Sequence, residues 1–180
     1  MGNAARGGAP KWRRGLSAVA EPYRMVLEKL LRALEKRLGE RLVSVVVYGS
    51  VARGEAGRDS DLDILIVAEG LPKRRFERQD IFMEVESEVE PLLARLEEEG
   101  YHVELSPILK TPEEARRVTP LYLDMVEDAI IIYDRRGFFE EILERLRRRL
   151  EELGAERVRL GKLWYWRLKR DYKFGEVIEL

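Results

Sequence analysis

Gly49-Ser50-Val51-Ala52-Arg53-Gly54-Glu55, continued by Ser60-Asp61-Leu62-Asp63-Ile64-Leu65, is the stretch that decides the fold of this chain. The run before it, Leu42-Val43-Ser44-Val45-Val46-Val47-Tyr48, is rich in β-branched residues and nearly all apolar, the pattern of a strand covered on both faces. It stops at Gly49. Glycine lets a backbone approach a phosphate closely, and the Ser50 hydroxyl with its neighbouring amides can donate hydrogen bonds to phosphate oxygens. Asp61 and Asp63 stand two residues apart at the entrance to a second β-prone run, Leu62 to Val67, so strand geometry sends both carboxylates to one face. Two such groups repel each other unless a cation lies between them. Magnesium prefers hard oxygen ligands, keeps several waters and completes its shell with substrate phosphates. A pair of these ions can orient an attacking hydroxyl and stabilise leaving pyrophosphate. The glycine-serine turn and the acidic pair are therefore expected to act on the same triphosphate.

Outward from this stretch, periodicity predicts an alternation of helices and strands. Pro22 suits a first helical position, and Tyr23, Val26, Leu27, Leu30, Leu31, Leu34 and Leu38 recur at three- and four-residue spacing until Gly39. A second helix is predicted over Arg75 to Glu99, interrupted or kinked at Pro91. Tyr101 to Leu109 reads as a third strand. Thr111-Pro112-Glu113-Glu114 has the form of a capped helix start, with a helix expected to about Val126. A short strand over Ala129 to Tyr133 and an amphipathic helix over Phe138 to Leu153, stopped by Gly154, complete the pattern. The expected organisation is a flexible arm over residues 1–15, one domain over 16–156, and an aromatic and basic tail over 157–180 packed on it.

Composition narrows the classes. The chain of 180 residues is 45% hydrophobic and 37% charged with a net charge of -1, which describes a globular domain and not a general nucleic-acid binder. Without cysteine there is no disulfide, thiolate metal site or cysteine nucleophile, and a single histidine rules out a histidine-rich zinc site. No apolar run is long enough to span a bilayer and no signal-peptide pattern opens the chain, so a cytoplasmic location without membrane contact is expected. Heavy use of Glu and Arg suits a thermophile.

The motif Gly49-Ser50-Val51-Ala52-Arg53-Gly54-Glu55 with Ser60-Asp61-Leu62-Asp63-Ile64-Leu65 resembles the signature of the polymerase-β-type nucleotidyltransferase superfamily, particularly its small minimal members. The resemblance extends from about Tyr23 to Leu180, as similarity to archaeal nucleotidyltransferase-domain proteins of unassigned substrate. It implies an α/β (α+β) fold with a mixed central sheet flanked by helices. It also implies transfer of a nucleoside monophosphate from an NTP, with ATP the expected one, to an acceptor hydroxyl, with two magnesium ions. A third carboxylate on a later strand is implied as well. Glu104 is the candidate, where the family commonly has Asp, so Asp61, Asp63 and Glu104 form the expected catalytic and metal-binding set. Minimal members often work beside a helical HEPN-type protein, so such a partner in trans, with an antitoxin role, is an alternative. A fold that binds nucleotide without turnover is another.

Other residues carry two readings each. Arg53 either neutralises substrate phosphate or pairs with Glu55 to hold the loop. Asp59 reads as solvated at the loop apex. His102, with no partner acid in view, reads as structural. In the tail, Trp164, Tyr165, Trp166, Tyr172 and Phe174 interleave with Lys162, Arg167, Lys169, Arg170 and Lys173. That mixture stacks bases, or else covers an apolar surface with snorkelling cations. Packing is the favoured reading, and RNA binding is not.

Overall fold

The computed structural model describes residues 12–160, 163–171, 173 and 177–180. Its centre is a five-stranded mixed sheet in the order β1-β5-β2-β3-β4, from β1 (Arg13–Arg14), β2 (Leu42–Val47), β3 (Leu62–Ala68), β4 (Leu105–Lys110) and β5 (Ile130–Asp134). β2 runs antiparallel to both β3 and β5, while β3 pairs with β4 and β1 with β5 in parallel. The helices are α1 (Tyr23–Leu38), α2 (Gly49–Arg53), α3 (Arg75–Glu98), α4 (Pro112–Ala115), α5 (Pro120–Asp128) and α6 (Phe138–Leu153). A separate hairpin joins β6 (Glu156–Leu160) and β7 (Leu163–Arg167).

Period-two alternation along β3 explains the two-sided core. Leu62, Ile64 and Ile66 face the layer of α1 and α3, while Leu65 and Val67 face the layer of α5 and α6. Both central strands are buried on both faces, as their uninterrupted apolar runs require. The mixed sheet between helical layers is the expected fold class.

Several expectations are corrected in detail. Of the two expectations for Pro91 the interruption is the one overturned: α3 is one continuous helix with Pro91 inside it, because Phe82, Val85, Val89, Leu92 and Leu96 form a buried stripe across the proline. That burial outweighs the one backbone donor the ring removes. The helix expected up to Val126 is two, since Pro120 starts α5 afresh after a capping box closes on α4 at Thr111 and Glu114. The third strand begins at Leu105, not Tyr101.

Within the expected arm, Arg13 and Arg14 belong to the sheet, flanked by Trp12 and Gly15. Trp12 is buried and its indole N–H donates to the Val126 carbonyl at 2.9 Å, and Gly15 N–H donates to Ile131 O at 2.9 Å. Residues 1–11 of that arm lie outside the described residues. So do Lys162, Tyr172, Phe174 and the side chain of Trp164 from the tail. Elsewhere in the tail, Trp166 donates to Asp124 at 3.3 Å and Arg157 donates to Asp128 at 2.8 Å. No described helix is long and apolar enough to cross a membrane.

Candidate active site

β2 ends at Val47, and the chain turns sharply at Gly49, whose φ of +71° is a left-handed value that glycine adopts without strain. The antiparallel register sets Val47 opposite Ile64, and Tyr48 N–H donates to Asp63 O at 3.1 Å, so the turn is laid directly against the start of β3. The contact is close enough that a Cβ on Gly49 would sit 2.1 Å from Asp63 Oδ2. Glycine is thus required here for two reasons, the backbone angle and the space taken by a carboxylate. Ser50 follows on α2, half-exposed beside this contact.

Asp63 is half-buried and Asp61 exposed. Burial pushes the Asp63 carboxyl above the ordinary carboxylate range, and the charge of Asp61 pushes it further. A hydrogen bond from Ser106 and the positive charge of Arg53 pull it back. Ser106 is placed by register, since the parallel pairing sets Asp63 beside it on β4. Tyr48 shares this pocket, and burial together with the Asp63 charge pushes its phenol up to about 12. Of the two readings of Arg53, the structure shows the pairing with Glu55. Its Nε donates to Glu55 Oε2 at 2.7 Å, and its charge acts on Asp63.

Glu104 lies immediately before β4, and its carbonyl accepts from Leu62 N–H at 2.8 Å, so its backbone is level with the aspartates. Its exposed side chain is felt at Glu86 on α3, whose carboxyl is raised by burial and then by Glu90 and Glu104. Among the described residues no three His, Cys, Asp or Glu side chains are gathered as a metal set. The structure therefore brings together Gly49, Ser50, Arg53, Asp61 and Asp63, and does not bring the Glu104 carboxylate to them.

The loop between α2 and β3 is held from below. The Tyr23 hydroxyl donates to Gly57 O at 2.6 Å, and Gly57 N–H donates to Ser60 Oγ at 2.9 Å. The Arg13 guanidinium donates to the Ala52 carbonyl and to Asp128 O, tying α2 to α5. His102, read from sequence as lacking a partner acid, has two, Asp59 at 4.0 Å and Glu97 at 3.6 Å. Its backbone N–H also donates to Arg58 O at 2.8 Å, so it ties the loop to the end of α3. Sequence reasoning missed Tyr23, Arg13 and Ser106 as supports. Only Ser106 had a signal, as it stands two residues after Glu104 and so on the same strand face.

The donor chemistry fits magnesium. Two hard carboxylates, one of them half-buried and raised by burial and by the charge of the other, match an ion that takes one or two protein carboxylates and fills its shell with water and phosphate. The nucleotidyltransferase domain model matches residues 27–158. A candidate protein adenylyltransferase of Methanocaldococcus jannaschii is 33% identical over 124 residues, 68% of this chain and 79% of that protein. The protein adenylyltransferase MntA of Thermococcus cleftensis is 41% identical over 69 residues, 37% of this chain and 65% of that one. Among solved structures, a toxin–antitoxin complex with AMP-PNP aligns over 71% of this chain and 91% of that one, with 16% identity and a TM-score of 0.44.

Proposed function

The chain belongs to the nucleotidyltransferase domain family, and from that premise we propose that it transfers AMP from ATP, with magnesium, to a hydroxyl group on a protein. The observation that carries this reading is the contact between Gly49 and the Asp63 carboxylate. A triphosphate resting on the Gly49-Ser50 backbone has its phosphates next to the two aspartates, so one substrate engages both halves of the motif. Adenine as the base and protein as the acceptor are supported by the name of the relative at 33% identity.

In the proposed mechanism the Ser50 hydroxyl and the amides following Gly49 orient the phosphates, and Arg53 offsets their charge. Asp61 and Asp63 would hold the magnesium, which supplies charge neutralisation at the phosphates and at the leaving group. The acceptor oxygen forms a bond to the α-phosphorus, the bridging bond between α- and β-phosphates breaks, and pyrophosphate leaves. The hydroxyl proton passes to a site carboxylate or to water. Ser106 keeps the Asp63 carboxylate aimed inward by its hydrogen bond. Glu104 joins the set if its side chain turns from Glu86 toward the aspartates when nucleotide binds, a change its exposed position allows.

Labelled NTPs incubated with the protein and a lysate of its source test this directly. Label from ATP should reach protein with magnesium present and vanish in Asp61→Ala. Transfer independent of Asp61 refutes the chemistry, and preference for another NTP refutes the base. The antitoxin reading, with a HEPN-type partner, predicts that the labelled protein is that partner.

A further inference from the structure

The first half of α3 carries a feature that nucleotidyl transfer leaves unused. Phe76 and Met83 are 79% and 61% exposed, and their seven-residue spacing sets them on one stripe roughly 10 Å long. Beside them a groove of about 920 Å³ runs between α3 and β4, with Lys73 and Arg75 toward one end and Glu86 and Glu104 toward the other. β4 is one of the two outer strands of the sheet. Its edge is poorly suited to pairing with another strand, since Pro107 has no N–H and the Leu109 carbonyl already accepts from Arg78 at 3.0 Å. Recognition in this groove therefore falls to side chains.

The acidic end of the groove abuts the transfer site. The Glu104 carbonyl is bonded to the amide of Leu62, between the two aspartates, and Ser106 two residues on touches Asp63. Carboxylates at that end repel a phosphate backbone and attract a cation, while an exposed aromatic and thioether pair suits an apolar side chain. We propose that this groove seats the acceptor as an extended polypeptide segment. One apolar side chain lies against Phe76 and Met83, one basic side chain faces Glu86, and a Ser, Thr or Tyr hydroxyl is presented to Asp61 and Asp63. The assignment rests on the transfer reaction above and adds to it the class and charge pattern of the acceptor.

Synthetic peptide pools with a central hydroxyl residue test it, differing only in Arg or Glu beside that residue and Leu or Asn at a distal position. The readout is magnesium-dependent incorporation from α-labelled ATP. Wild type should favour the Arg/Leu pool over the Glu/Asn pool by about tenfold, the effect of one or two good anchors. The F76S/M83S variant should lose the Leu preference and Glu86→Lys should reverse the Arg preference. Both should keep wild-type ATP affinity by titration calorimetry, since none of the altered side chains belongs to the Gly49-Ser50 turn or the aspartate pair, and F76S/M83S should keep wild-type melting, since Phe76 and Met83 are exposed. Equal labelling of all pools, or preferences that neither variant moves, overturns the groove while leaving nucleotidyl transfer standing. Labelling of RNA oligonucleotides or amino-sugars in place of every peptide overturns it as well. Absence of magnesium-dependent ATP binding by wild type would strike down the transfer reaction itself, and the groove assignment with it.

Discussion

At Gly49 and Asp63 a residue with no side chain and a residue with a charged one occupy the same small space. Gly49→Ala places a methyl group into the carboxylate at a backbone angle unfavourable for alanine, a strain of about 1–3 kcal/mol. Transfer should fall at least a hundredfold, by roughly the 2.7 kcal/mol that such a factor represents, and activity within tenfold of wild type would contradict the contact. Asp63 also carries a stability signature. Its folded pKa is raised, so its contribution is present at acid pH below the ordinary carboxylate value and is lost as pH rises through the folded value. At neutral pH the ionised group costs stability. Asp63→Asn should therefore abolish transfer while raising the melting temperature of the ligand-free protein at pH 7, and a lowered melting temperature would count against the repulsion. Ser106→Ala leaves the carboxylate without its hydrogen bond. Magnesium affinity, measured by titration, should weaken by about 10- to 100-fold, the usual loss when a ligand's supporting group is removed.

Elements whose burial is uniform were legible in the sequence, and elements made by tertiary contact were not. β2 and β3 announce themselves through unbroken runs of Val, Ile and Leu, and α1 and α6 through apolar stripes ended by Gly39 and Gly154. β1 is two arginines with exposed side chains, a segment with no period at all, and it exists because β5 offers an open edge. The glycine turn and the two aspartates could be read because their chemistry is local. The placement of the Glu104 side chain could not, because it stands in the link before β4, exposed and near Glu86 of α3, a neighbour that only the tertiary fold supplies. The clamp between α3 and α4 was equally hidden. Arg78 donates to Glu114 through two nitrogens at 2.6 and 2.8 Å and to the carbonyls of Pro72 and Leu109. Glu114 is held at about 2, chiefly by the Arg78 hydrogen bonds. Its stabilising contribution is complete above its ordinary value of 4.5 and is lost as pH falls toward about 2. Urea unfolding of Glu114→Gln should show a shallower loss of stability across that window than wild type. Equal slopes would show that the pair does not act on folding.

For the molecule as a whole, the second core depends on a residue far from the rest of it in sequence. Trp12 lies among residues of α5 and α6 and is buried to 4% exposure. Trp12→Ala should cost about 3–5 kcal/mol, the range for emptying a large aromatic site, measured by chemical denaturation. A cost below 1 kcal/mol would mean that the N-terminal strand is a dispensable ornament. The same strand sets an order of events during synthesis. β1 leaves the ribosome before the other strands of the sheet and finds its pairing edge on β5, roughly 115 residues later, an interval on the order of ten seconds at common rates of translation. Gly49, Asp61 and Asp63 are all made within that interval. The Arg13 tie to α2 closes only after β5 has arrived, so the nascent chain carries its phosphate-binding turn for most of its synthesis before that turn is braced.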